Sequence, residues 1–168
     1  MQKPNLRDPL QLLAVGLGSG LAPKAPGTSG SLASLVFFPF LAMLTLPVYL
    51  VVVAIASIIG IKFCAHAAEA LGVHDDGRIV WDEFCGQWLA LAPLVPIVHW
   101  RGVDLLWVLA GFVLFRVLDI IKPWPISWLD KKVHGGLGIM IDDIVAGALA
   151  AAILWFVQIG FVRGFFLS

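Results

Sequence analysis

Long apolar runs, cut by prolines and isolated charges, divide the chain into five segments at about 29–45, 47–63, 80–99, 103–121 and 139–160. Each approaches the roughly 20 residues that an α-helix needs to cross a bilayer. Not one Asp, Glu, Lys or Arg occurs between Ala25 and Ile61. That stretch accommodates two linked spans around a Thr45-Leu46-Pro47 turn, or one kinked helix. Both spans are short, which tilt and burial among neighbours can absorb. The pattern predicts an all-α, polytopic integral membrane helical bundle of about five transmembrane helices joined by glycine-rich loops, as a single domain over 1–168.

Composition sharpens this picture. The chain is 60% hydrophobic and 13% charged, with a mean hydropathy of +0.96, which excludes an ordinary water-soluble domain and a disordered tail. Its 11 basic and 11 acidic residues cancel, so no global field draws it to nucleic acid. Cys64 and Cys85 alone cannot form a disulfide scaffold. Pro4, Asp8 and Pro9 interrupt the start, so a retained first helix is expected rather than a cleaved export signal. With five spans, Lys3, Arg7, Lys24, Lys62, Arg78, Lys122, Lys131 and Lys132 fall on one side, and Arg101 and Arg163 on the other. The basic excess places the first side, with the glycine-rich loops, in the cytoplasm.

Nearly every unusual polar residue then lies at that face. Ala25 to Ser31 is small and polar, and Gly27, Thr28 and Ser29 could bring backbone N–H groups to a phosphate at a helix start. A helix cap with flexible glycines explains the same composition. Asp75, Asp76 and Arg78 precede Asp82 and Glu83, which open the third span. Two carboxylates at the edge of hydrocarbon suggest a hard cation, although acids at a helix start are also ordinary dipole partners. Arg116, Asp119 and Lys122 occupy a sector of about 120° on one helix. A local Arg116–Asp119 pair accounts for two of them and leaves Lys122 unexplained. After His134 and a glycine-rich stretch, Asp142 and Asp143 stand side by side in an apolar helix. An ionised Asp there costs about 2.5–3.5 kcal/mol on insertion scales, so the pair should face a polar site unless it caps a helix in water.

These clusters combine through topology, because the first, third and fifth spans all begin at the same face and direct their positive ends toward the acids. The expected site holds Mg2+ on Asp82, Glu83, Asp142 and Asp143, with Asp119 as a further ligand candidate. Arg116 and Lys122 offset the remaining charge of a phosphate, and His134 is a candidate proton donor or phosphate contact.

The motifs resemble those of the phosphatidylglycerophosphatase A family. Gly18 to Leu21, Pro26-Gly27-Thr28 and Gly30-Ser31-Leu32 are similar to its first motif, and Ile79-Val80-Trp81-Asp82-Glu83 to its second. Phe115-Arg116, Asp119 and Lys122-Pro123-Trp124-Pro125-Ile126 are similar to the third. His134-Gly135-Gly136 with Gly138 to Gly147 is similar to the fourth. The resemblance implies a magnesium-dependent phosphatase of the bacterial inner membrane, acting on phosphatidylglycerophosphate at the cytoplasmic face to give phosphatidylglycerol and inorganic phosphate. The residues alone do not select the headgroup or an oligomeric state.

Other chemistries fit less well. A cysteine phosphatase needs Arg six residues after Cys, where Ala70 and Leu91 stand. The spaced acid motif of the CDP-alcohol phosphotransferases is not matched either. A small transporter or channel for magnesium or protons is the alternative from another class, but acids gathered at one face give it no second opening. Metal-activated water is the simplest mechanism.

Overall fold

The computed structural model describes residues 2–73, 76–97 and 102–166, without the side chains of 102, 103 and 160–166. Asp75, Arg101 and the end of the third predicted span lie outside the described residues. Among those described, the secondary structure is helical: α1 (Pro9–Ala14), a 3-10 turn (Gly16–Leu21), α2 (Pro26–Ser34), α3 (Phe38–Leu41), α4 (Leu46–Leu71), α5 (Trp81–Leu91), a second 3-10 turn (Ala92–Leu94), α6 (Gly102–Ile121), α7 (Ile126–Lys132) and α8 (Gly135–Phe166).

Among the described residues, two helices, Leu46–Leu71 and the Gly135–Ile159 part of α8, are long and apolar enough to cross a membrane. The five-span pattern is not reproduced as five long helices. The expected 29–45 span breaks after Ser34 into α2 and the four-residue α3, which has a proline in its first turn; Pro39 has no N–H to continue the preceding helix. The expected 80–99 span is helical only from Trp81 to Leu91 before Pro93 tightens it into 3-10 geometry. An 11-residue helix rises only about 16 Å, half a bilayer core. The α6 helix, 20 residues long, matches the expected 103–121 closely, but Asp104, Arg116 and Asp119 interrupt its apolar surface. The α4 helix runs on to Leu71, where Gly72 closes it at φ +70°.

The short α5 is the hub. It packs chiefly on α8 and also on α2, α4 and α6, and is buried at Asp82, Phe84 to Trp88, Ala90 and Leu91. Glycines permit the closest approach: a Cβ on Gly86 would lie 2.7 Å from the Asp143 carbonyl oxygen, and one on Gly147 would run into the Gly86 carbonyl. Asp82 shares a cavity with Asp142 and Asp143 near the start of both helices, and Leu91 and Leu154 both meet Gly111 farther along, so α5 and α8 run side by side in the same direction. Gly111 of α6 faces Leu91 and Leu154, while Arg116, nearer the other end of α6, reaches Glu83; α6 is therefore antiparallel to both.

Candidate active site

The starts of α2, α5 and α8 thus meet the end of α6, and each contributes polar side chains. Residue 80, just ahead of α5, is anchored by its N–H to the Ala14 carbonyl at 2.9 Å, which ties α1 to the start of the hub helix. This fixes Asp82 and Glu83. The close α5–α8 packing through Gly86 then sets Asp143 beside them.

A cavity of about 230 Å³ opens here, lined by the carboxylates of Asp82, Glu83, Asp119, Asp130, Asp142 and Asp143, with Lys122, His134 and the backbone of Gly138. Oxygens of Asp119, Asp142 and Asp143 lie within 4.8 Å of one another, a spacing that could hold a metal ion. The cations are arranged around them. Arg116 Nη1 donates to Asp119 Oδ2 at 2.6 Å, lies 3.8 Å from Glu83 Oε1, and reaches Ser31 Oγ at 3.3 Å. The Ser31 hydroxyl in turn donates to the Gly27 carbonyl at 3.0 Å. Lys122 Nζ bridges Asp142 Oδ2 at 2.5 Å and Asp130 Oδ1 at 2.6 Å. Its backbone sits at φ +45°, a left-handed conformation that an L-residue adopts at a cost, at the point where the chain leaves α6.

The donor set fits a hard divalent cation. Carboxylate oxygens dominate the lining. Among the described residues, Asp82 Oδ1, Glu83 Oε2, Asp142 Oδ1 and Asp143 Oδ1 are buried without a hydrogen-bond partner in the protein. Such groups are costly to bury unless something positive meets them.

Most of the residues expected from sequence converge. Asp82, Glu83, Asp119, Lys122, His134, Asp142 and Asp143 line one cavity, and Arg116 stands behind it. His134 is exposed at the rim. Among the described residues, the acidic trio close enough to share a metal ion includes Asp119, while Glu83 lies toward Arg116. Gly27 packs directly against Glu83 and Arg116, where a Cβ would collide with the Glu83 carboxylate. Thr28 and Ser29 share the first turn of α2 but do not line the cavity. The Asp76 carboxylate is taken by Arg78, which holds it below the ordinary carboxylate range. Sequence reasoning missed two residues. Ser31 reads in the sequence as one small residue among several, with no signal that it meets Arg116. Asp130 precedes Lys131 and Lys132 and reads as an ordinary interfacial charge.

The sequence model of the family described as Phosphatidylglycerophosphatase A matches residues 12–158. The chain belongs to the phosphatidylglycerophosphatase A family. It is 52% identical over 152 residues to Phosphatidylglycerophosphatase A of Escherichia coli (strain K12), covering 90% of this chain and 85% of that one. It is 42% identical over 159 residues to the Phosphatidylglycerophosphatase A of Haemophilus influenzae, covering 94% of each. No solved structure matches it. The phosphatidylglycerophosphatase A match takes in every residue of the acidic cavity, from Gly77 to Asp143.

Proposed function

We propose that this chain hydrolyses phosphatidylglycerophosphate to phosphatidylglycerol and inorganic phosphate, with Mg2+ as cofactor, at the cytoplasmic face of a bacterial inner membrane. The observation that carries this is the Asp119, Asp142 and Asp143 trio flanked by Arg116 and Lys122, in a chain of this family. Asp142 and Asp143 would hold the metal, with Asp119, Asp82 and Glu83 completing the oxygen set around the same cavity. When bound, magnesium supplies Lewis-acid charge neutralisation at the phosphoryl group and lowers the pKa of water.

The protein's own groups do the rest. Arg116 is held by Asp119, so its planar fork is pre-oriented toward phosphate oxygens. Lys122, clamped between Asp130 and Asp142, adds a compact positive charge at the cavity wall. Gly27 and Thr28, in the first turn of α2, have N–H groups without intrahelical acceptors, beside the Arg116 guanidinium. His134, which lines the cavity, would give a proton to the leaving glycerol oxygen or contact the phosphate.

A membrane setting is supported by what the helices leave uncovered. Val51, Ile55, Ile58 and Ile59 of α4, and Leu105, Leu106, Leu109, Val113 and Val117 of α6, are all exposed. Contiguous apolar surface of this kind suits lipid rather than water. A lipid substrate could then present its phosphate to the cavity with its acyl chains still in the leaflet. Purified protein should release inorganic phosphate from phosphatidylglycerophosphate micelles when magnesium is supplied, and lose that activity in excess chelator. Failure to release phosphate in magnesium would overturn the assignment.

A further inference from the structure

A second cavity, of about 630 Å³, adjoins the acidic one, between the N-terminal stretch, the loop into α2 and the turn before α5. Gly77 lines both cavities. It faces Pro26, whose Cγ would lie 3.8 Å from a Cβ at that position. Gly77, without a side chain, is thus the lining residue that the two cavities share.

The lining of this cavity is two-sided. Lys3 and Arg78 contribute positive charge, and Leu6, Leu21, Pro23 and Pro26 contribute apolar wall. Leu6 and Leu21 are themselves exposed. Arg78 is rigidly presented. Its Nε donates to Asp76 Oδ1 at 2.7 Å and its Nη2 to Asp76 Oδ2 at 2.5 Å, while its backbone N–H donates to the same carboxylate at 3.0 Å. Asp76 is buried, so the guanidinium is held by one edge and offers Nη1 on the other. Lys3 and Arg78 against Asp76 leave one net positive charge beside an apolar wall.

We propose that this second cavity binds the phosphodiester and adjoining acylated glycerol of a lipid whose terminal phosphate monoester occupies the acidic cavity. The inference rests on the reading of the chain as a phosphatidylglycerophosphate phosphatase. In such a lipid a single glycerol joins the two phosphates, and it would cross from one cavity to the other at Gly77, which lines both. Arg78 and Lys3 meet the diester oxygens, and Leu6 and Leu21 meet the acylated glycerol. Arg78 is thus a specificity residue: it reads the diester, which a simpler phosphate monoester lacks.

The two products separate the two cavities, because phosphatidylglycerol carries only the diester and inorganic phosphate only the group released. Inhibition of phosphatidylglycerophosphate hydrolysis by each product is measured for the full chain in detergent with magnesium, for wild type, Arg78→Gln and Lys3→Glu. Arg78→Gln should raise the inhibition constant of phosphatidylglycerol about tenfold, as expected for loss of a charge-assisted hydrogen bond. Lys3→Glu should raise it in the same direction, and the constant for inorganic phosphate should stay put in both. An unmoved phosphatidylglycerol constant, or one that moves in step with that of phosphate, overturns the subsite. If Arg78→Gln does not fold, because Asp76 is left buried and unpaired, Lys3→Glu on the exposed N-terminal stretch decides. Wild-type protein that releases no phosphate overturns the substrate reading, and the subsite falls with it.

Discussion

The Lys122 ammonium lies 2.5 Å from Asp142 Oδ2, joining the end of α6 to the start of α8. Asp142 Oδ1, the other oxygen of the same carboxylate, is buried without a partner in the protein. One oxygen thus meets a cation from the wall while the other is buried without a partner, in a carboxylate that belongs with Asp119 and Asp143 to a group that could hold a metal ion.

Replacing Asp142 or Asp143 with Asn keeps size and removes charge. Phosphate release should fall by at least roughly a hundredfold in each variant, with binding of manganese, followed by electron paramagnetic resonance, weakened in parallel. Circular dichroism should show the helices intact. Near-wild-type turnover in both variants at limiting magnesium would remove the acidic trio from the site.

Arg116 tests the phosphate side. Its Nη1 is engaged by Asp119, Ser31 and the more distant Glu83, and a lysine ammonium that took over those contacts would have no second nitrogen of a planar fork to turn to phosphate. Arg116→Lys should lose roughly 10- to 100-fold in kcat/KM although the charge is kept. A wild-type rate in Arg116→Lys and in Lys122→Ala would place the phosphate elsewhere, with the Gly27 to Ser29 turn as the next place to look.

How far the sequence carried differs between fold and site. Segment 103–121 was legible because a long apolar run is closed by Lys122 and Pro123, and α6 spans Gly102–Ile121. The tail of α4 was not, since Ala65-His66-Ala67-Ala68-Glu69-Ala70 forms helix by propensity but breaks the apolar pattern that marked the span. The break between α2 and α3 needed Pro39 to outweigh an uncharged run. At the site, residue types were readable because charge in an apolar helix is conspicuous. Their grouping was less so: the meeting of Asp119 with Asp142 and Asp143 depends on how far α6 slides along α8, and the Asp130 clamp on Lys122 depends on the turn between them.

Gly86 tests the packing that brings α5 to α8. A Cβ there would lie 2.7 Å from both the Asp143 carbonyl oxygen and Phe115 Cε2, so one of the three helices must move. Gly86→Ala should cost about 1–3 kcal/mol of stability, read as a lower unfolding temperature in detergent. Activity should fall further than stability does, because the displaced backbone belongs to Asp143. Wild-type melting and activity would show that the helices can part at no cost.

Acid sensitivity should trace to Asp8, whose Oδ2 lies 2.7 Å from His66 Nε2 and also accepts from Gln11 at 3.0 Å. Chiefly through His66, the Asp8 carboxyl is lowered from 3.8 to about 2. A carboxyl lowered on folding stabilises the fold above its unfolded pKa and loses that contribution as pH falls through the folded one. The contribution is thus full above about pH 4 and gone below about pH 2. Asp8→Asn should melt earlier than wild type at neutral pH, and the gap should close between those limits. A gap that persists below pH 2 would assign the effect to packing rather than charge.

Orientation rests on the basic residues gathered at the site end and is tested by labelling. With Cys64 and Cys85 replaced by Ala, single cysteines are introduced by Ser127→Cys and Ser168→Cys. Ser127 lies in α7, next to the Asp130 clamp on Lys122, so it should react only from the cytoplasm, whereas position 168 should react from the periplasm. The two positions are separated along the chain by α8, which is apolar and long enough to cross the membrane over Gly135–Ile159. Opposite labelling therefore establishes that α8 crosses with its start, and so Asp142 and Asp143, on the cytoplasmic side. Labelling of both from the periplasm would turn the acidic cavity away from the cytoplasm and refute the assigned orientation.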